Sequence, residues 1–287
     1  MKLIIQPADG VAPVVKAIDT ARKFLDIMIF RFDLAEVEKA LKAAVGRGVK
    51  VRALIAHTNK GGDKTLRKLE LRLLECGATV ARTADDLTRY HGKMMIVDNA
   101  ALHVYGFNYT KLDIAKSRSF GIVTRDKKLV AEAHQLFEAD ALRQTYTPAH
   151  QRLVVSPETS RTLLTAFVRG ARRQLLIYDA QVSDNAVQKV LAARAADGVE
   201  VRILGALEKD IAGIKVRKLG PMRLHVRAIV RDGSQAFVGS QSLRKLELEG
   251  RREVGVIVKN GAIARKIAAT FEDDWKRSKK SAISGAE

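Results

Sequence analysis

Two histidines 134 residues apart open segments of matching chemistry. His91 is followed two residues later by Lys93 and seven residues later by Asp98, and His225 is followed at the same distances by Arg227 and Asp232. In an extended strand, residues two apart face the same side, so each imidazole and its cation can be presented to one ligand. An imidazole titrates near neutrality and can attack, accept a proton or donate one. A fixed cation beside it suits a ligand that carries negative charge. A phosphodiester is such a ligand, because its own charge resists attack until cations neutralise its nonbridging oxygens.

The elements that position these residues occur twice. ARKFLDIMIF from Ala21 matches ARRQLLIYDA from Ala171, and GVKVRALI from Gly48 matches GVEVRILG from Gly198, each at an offset of 150. Val37, Lys39, Leu41 and Ala43 recur as Val187, Lys189, Leu191 and Ala193, and Pro7 recurs as Pro157. Later the offset falls to 134, pairing His91 with His225, Asp98 with Asp232, Gly121 with Gly255 and Phe137 with Phe271. Such self-similarity marks an internal duplication. The first half therefore carries 16 extra residues between Gly48 and His91, placed in the region of GGDKTLRKLELRLLECGA, where leucines 66, 69, 71, 73 and 74 predict an amphipathic helix.

Within each half the pattern predicts helix, strand, helix, strand, the histidine region, a strand pair and a final helix. LDIMIF, VKVRALI, KMMIVD and FGIVT have the composition of short strands, and AEVEKALKAAVGRG has helical spacing closed by glycine. Alternation of this kind predicts an α/β fold, a mixed β-sheet flanked by helices in each half. Packing about a pseudo-twofold would bring equivalent residues together at one interface. The junction is placed in LRQTYTPAHQ, giving halves 1–148 and 149–287.

The paired motif resembles that of the phospholipase D superfamily, H-x-K, four residues, D, six residues, then G-S-x-N. His91, Lys93 and Asp98 match its spacing, Tyr105 and Gly106 take the Gly-Ser places, and Asn108 closes it. The second copy keeps His225, Asp232, Gly239 and Ser240, with Arg227 for lysine and Ser242 for asparagine. The resemblance implies two phospholipase D-like halves sharing one active site, and a phosphohistidine intermediate formed without metal or cofactor. His91 would be the nucleophile and His225 the acid/base, with the reverse assignment as the alternative. Lys93 and Arg227 would neutralise the phosphate, with Asn108, Ser240 and Ser242 adding hydrogen bonds and the Gly106 N–H free to approach it. Glu253 would orient a histidine, while its repeat partner Ser119 brings no charge, so the two imidazoles should differ in basicity. Asp98 and Asp232 would hold backbone away from the phosphorus.

Four positions depart from the strict pattern, Gly106, Ser119, Arg227 and Ser242. Arginine keeps the charge but exchanges a compact ammonium for a planar fork, which puts geometry in doubt more than binding. A catalytically silent, nucleic-acid-binding relative would be expected to lose a histidine first, and both are present. The other histidines, His57, His103, His134 and His150, show no metal-ligand spacing, and packing accounts for them better.

The 287-residue chain has 51 Lys and Arg against 32 Asp and Glu, a net charge of +19, which favours a polyanionic partner. Basic stretches at Lys64, Arg172–Arg173, Arg251 and KRSKK from Lys276 lean the expected substrate toward nucleic acid. An anionic phospholipid, handled by a hydrolase or a cardiolipin synthase-like phosphatidyltransferase, is the alternative. It would call for exposed apolar groups, and only 5% of residues are aromatic. The single cysteine, Cys76, excludes an internal disulfide and reads as a packing thiol. No apolar run is long enough for a membrane span, which makes a cytoplasmic location the expectation. Because both motifs lie in one chain, a monomer suffices for an active centre.

Overall fold

The computed structural model describes residues 1–58, 63–220 and 222–280. The first half opens with β1 (Lys2–Gln6), α1 (Ala12–Thr20), β2 (Phe24–Met28), α2 (Ala35–Gly46) and β3 (Lys50–Ile55). It continues through α3 (Asp63–Glu75), β4 (Thr79–Arg82), β5 (Arg89–Tyr90), β6 (Met94–Val97), β7 (Ala101–Tyr105), α4 (Lys111–Lys116), β8 (Ser117–Thr124) and α5 (Lys127–Ala141). The second half opens with β9 (Leu153–Val155), α6 (Ser160–Arg169), β10 (Gln174–Val182), α7 (Asn185–Ala196), β11 (Glu200–Leu207) and β12 (Ile214–Lys218). Then come β13 (Arg223–Leu224), β14 (Arg227–Arg231), β15 (Gln235–Gly239), α8 (Lys245–Glu249), β16 (Arg251–Arg252), β17 (Val254–Val258), α9 (Gly261–Arg277) and β18 (Lys279–Lys280).

The duplication is visible strand by strand. One sheet runs β1-β8-β7-β6-β2-β3-β4, and the other runs β9-β17-β15-β14-β10-β11-β12 with β18 outside it. In both, the strand after the first helix is parallel to one neighbour and antiparallel to the histidine-motif strand: β2 with β3 and β6, β10 with β11 and β14. Small features repeat as well. Gly48 and Gly198 end their helices with φ of 83° and 81°, a conformation glycine adopts without a Cβ penalty.

Helix α2 buries Val37, Ala40, Leu41 and Ala44, one stripe at helical spacing. It packs with α1 on the outer face of the first sheet, in a core that also takes Leu66, Leu69 and Leu73 of α3. Leu164, Phe167 and Leu191 of α6 and α7 do the same for the second sheet. A third core crosses the two halves, joining Met94, Val104 and Phe120 to Tyr178, Val226 and Val256 and to the apolar stripes of α5 and α9. That shared core fixes the halves against each other.

The extra helix of the first half is α3, and in the second half residues 208–213 join β11 to β12 without one. Each half begins with a strand, which corrects the expectation of a helix first. KLIIQ and LVV are stabilised as strands by edge pairing with β8 and β17, partners about a hundred residues away or more, and runs this short carry no clear period of their own. Among the described residues no helix is long and apolar enough to cross a membrane.

Candidate active site

Each histidine is anchored by backbone of the half to which it does not belong. Arg89–Tyr90 pair with Arg251–Arg252, and Arg223–Leu224 pair with Ser117–Arg118, both in parallel. The next residue in each case is the histidine. The His91 N–H donates to the Arg252 carbonyl at 2.7 Å, and the His225 N–H to the Arg118 carbonyl at 3.3 Å. From there β6 and β14 run into the sheets, their apolar residues buried. The two imidazoles border one cavity of about 270 Å³, with Arg31, Arg89, Arg223, Asn108 and Asp113 on its wall.

His91 is the more firmly held. Its Nδ1 lies 2.9 and 3.1 Å from the two oxygens of the fully buried Glu253. The edge-on ring of Phe30 packs against it with centroids 4.7 Å apart. A carboxylate at Nδ1 keeps the proton there and leaves the Nε2 lone pair for chemistry. The Lys93 ammonium sits 3.1 Å from Nε2 and donates to the His91 carbonyl at 2.7 Å.

His225 has a carboxylate too, which corrects the expectation drawn from Ser119. Asp113 on α4 brings an oxygen to 3.5 Å from His225 Nδ1. It is itself held by the Asn108 N–H at 2.9 Å, the Asn108 side-chain amide at 2.7 Å and Arg223 at 2.6 Å. Its repeat counterpart, Glu247, instead takes Arg244 and Arg251. The duplication therefore concealed Asp113, although Thr110-x-x-Asp113 is a helix-start signature and Thr110 does cap α4. Arg89 and Arg223 left a clearer mark, since each stands two residues before its histidine.

The expected phosphate ligands are distributed differently. Lys93 is fully buried and lies behind His91, and Arg227 turns to Asp179, with its Nε 3.7 Å from the carboxylate. Neither borders the cavity, whose wall carries Arg31, Arg89 and Arg223 instead. The Gly106 N–H is committed to the Phe120 carbonyl at 2.8 Å, so it has no hydrogen to offer a phosphate. Ser240 bonds across to Val254, and Ser242 donates to Asp179. Asn108 does border the cavity, although its amide N–H is directed to Asp113.

Arg227 and Ser242 depart from the motif together for a reason. The first half has Ile29 where the second has Asp179, a buried carboxylate that takes the Ser242 hydroxyl, the Leu243 N–H at 2.6 Å and the Gln181 N–H at 3.0 Å. An unpaired buried carboxylate would be costly. The arginine and the serine compensate it, so the departures form one set. Asp98 and Asp232 lie at the far ends of β6 and β14. Asp98 collects the N–H groups of Arg22, Lys23 and Phe24 at 2.7 to 3.1 Å, and Asp232 those of Arg172, Arg173 and Gln174 at 2.7 to 3.2 Å.

Burial pushes the His91 imidazole down to about 4, with Glu253 opposing and Lys93 reinforcing the fall. Burial likewise takes His225 down to about 3, with Asp113 opposing and Lys93, Arg223 and Arg227 reinforcing. Burial also lowers Lys93 to about 8. Two neutral imidazoles among cations are electrostatically incomplete until an anion arrives. The ordinary value of 6.5 lies above both folded values, so as pH falls through about 6.5 the unfolded chain binds these protons first and stability declines toward about 4. A bound dianion should reverse this by drawing protons onto the histidines. Sulfate is therefore expected to bind about tenfold or more tightly at about pH 5 than at about pH 8, with proton uptake measurable by calorimetry in buffers of different ionisation enthalpy. Equal affinity at both pH values would show that the imidazoles do not face the anion.

One cluster departs from the expectation for the remaining histidines. His134 and Glu138, four apart on α5, lie with Asp26 where three ligand atoms come within 4.8 Å of one another. Arg52 already occupies that place, bonding Asp26 through two nitrogens at 2.7 and 2.8 Å and Glu138 at 2.6 Å.

The family described as "cardiolipin synthase, PLD-like domain" matches residues 14–141 and 164–275, in both halves. The chain belongs to this phospholipase D-like family. Minor cardiolipin synthase ClsB of Bacillus subtilis (strain 168) is 22% identical over 227 residues, 66% of this chain and 57% of that protein. The chain thus spans a little over half the length of that curated relative. Among solved structures, the polyphosphate kinase of Porphyromonas gingivalis superposes with a TM-score of 0.80 at 18% identity, covering 96% of this chain and 47% of that one. The phosphatidylserine synthase of Haemophilus influenzae Rd KW20 gives 0.70 at 11% identity, covering 97% and 87%. These structures share the phospholipase D-like fold described above.

Proposed function

We propose that the chain cleaves or transfers a phosphodiester through a phosphohistidine on His91, with His225 as acid/base. The observation that carries this is the crossed arrangement of the site, in which Glu253 of the second half backs His91, Asp113 of the first half backs His225, and both imidazoles border one arginine-walled cavity. The nonbridging oxygens meet Arg31, Arg89 and Arg223, which neutralise charge in a confined space. Nε2 of His91 attacks phosphorus as the P–O bond to the leaving group breaks, and His225, which takes up a proton when the anionic substrate binds, gives that oxygen its proton. Neutral His225 then takes a proton from water or an alcohol. The new oxygen attacks, and the P–N bond breaks. The closer carboxylate favours His91 as nucleophile, because Glu253 at 2.9 Å stabilises the cationic imidazole ring of the adduct.

The diester we favour is a phospholipid, which the family description and the cardiolipin synthase relative support. Nucleic acid is the second reading, supported by the net charge of +19. Two of the basic stretches support it, since Lys68 lines a groove that shares Phe30 and Arg31 with the cavity and Arg251 stands 4.0 Å from Glu253, whereas the other two do not. Arg172 and Arg173 sit beside Asp232, at the opposite end of β14 from His225, and the side chains of Lys279 and Lys280 lie outside the described residues. Protein mixed separately with labelled phosphatidylglycerol and labelled single-stranded DNA, quenched in denaturant and digested at alkaline pH, is expected to carry lipid-derived label on His91. Label on His225 would reverse the roles, label from DNA alone would reverse the substrate, and no label or turnover with either would end the proposal.

A further inference from the structure

Lys111-Leu112-Asp113-Ile114 on α4 recurs 134 residues later as Lys245-Leu246-Glu247-Leu248 on α8. In both copies the last two side chains are buried and the first two are exposed. The buried pair has a structural use, since the acid bonds arginine and its neighbour packs into a core. The leucines have no comparable use inside the fold. Leu112 is 50% exposed and Leu246 40%.

Their positions are related by the pseudo-twofold through the site. Leu112 borders the histidine cavity. Leu246 lies over Gly250, whose N–H donates to the Leu246 carbonyl and whose own carbonyl takes the Thr88 N–H, one residue before Arg89 on the cavity wall. A single exposed leucine needs no explanation. Two at repeat-related positions, each beside an exposed lysine, one on the cavity wall and the other packed by Gly250 and Thr88 next to the cavity-wall Arg89, give the two sides of the site matching amphipathic points.

We propose that α4 and α8 are a two-point docking rim that seats the mouth of the site on an anionic phospholipid bilayer. Leu112 and Leu246 enter the acyl boundary, while Lys111 and Lys245 stay at headgroup level with their stems along the apolar surface. The partner is set by complementarity: the face combines apolar points with cations, and the chain carries +19 overall. A polynucleotide would use the cations and leave the leucines idle. The inference rests on the lipid reading of the substrate and adds how that substrate is reached.

The test is sedimentation of the full chain with vesicles of phosphatidylcholine alone or mixed equally with phosphatidylglycerol. Binding to the mixed vesicles is expected, with a fall of about tenfold or more in partitioning for the Leu112→Ser/Leu246→Ser double variant. The Lys111→Gln/Lys245→Gln variant should bind more weakly and with less dependence on salt. Because all four side chains are exposed, thermal unfolding should stay unchanged. Failure to bind mixed vesicles, undiminished partitioning of the leucine variant, or an equal loss of single-stranded DNA binding in that variant would each overturn the rim. Turnover of soluble bis(p-nitrophenyl) phosphate by the unaltered protein, without vesicles, reads the chemistry separately. Leucine-dependent vesicle binding without that turnover would sink the catalytic reading and leave the rim standing.

Discussion

His91→Ala is expected to lower turnover by about 10⁴-fold or more while leaving the fold and sulfate binding at about pH 8 in place, with the tightening of sulfate toward about pH 5 reduced. The imidazole is half of a covalent step, so its loss removes the nucleophile itself. Little structure depends on the ring, since the neighbouring backbone is held through the His91 N–H and the Arg252 carbonyl. The companion variant His225→Ala should separate the two roles. With p-nitrophenyl esters the leaving oxygen departs without a proton, so His225→Ala should lose far less than His91→Ala on the first chemical step. With an alkyl leaving group the two losses should converge. Comparable rates for His91→Ala and the unaltered protein would mean that the reacting phosphorus sits elsewhere.

Glu253→Gln should cost about 10³-fold or more in kcat, although shape and volume barely change. The carboxylate keeps the Nδ1 proton in place and stabilises the imidazole as it becomes cationic, and a neutral amide does the second poorly. Glu253 also raises the proton affinity of His91 against burial. Its neutralisation should therefore move the acid limb of kcat/KM to lower pH, below about 4. A purely structural role would reduce stability and leave that limb where it is. Asp113→Asn should be milder on esters with good leaving groups, because it acts through His225 and at 3.5 Å.

The duplication, the sheet-and-helix order after the opening strand of each half and the two histidines were legible because each is written twice in the sequence, at offsets of 150 and then 134. Glu253 was legible through family resemblance. What escaped was everything that breaks the repeat. Asp113 serves a histidine and its counterpart Glu247 does not, while Asp179 stands opposite Ile29, so neither announces itself by recurrence. The cations show the other limit. Lys93 and Arg227 satisfy the motif, yet Lys93 is buried against the His91 ring and Arg227 turns to Asp179, while the exposed Arg31 and Arg223 and the half-buried Arg89 line the cavity. Sequence spacing fixes which way a strand residue points, but a long side chain answers to the charges it meets.

The short parallel pairings at Arg89–Tyr90 and Arg223–Leu224 have a consequence for how the chain matures. Each clamps a histidine with backbone borrowed from across the pseudo-twofold, so neither half in isolation can hold its imidazole in place. Competence is thus an all-or-none property that appears only at docking. A chain whose halves have not docked would lack the Arg252 and Arg118 carbonyls that hold the histidines, so the contacts that join the halves are also those that arm the site.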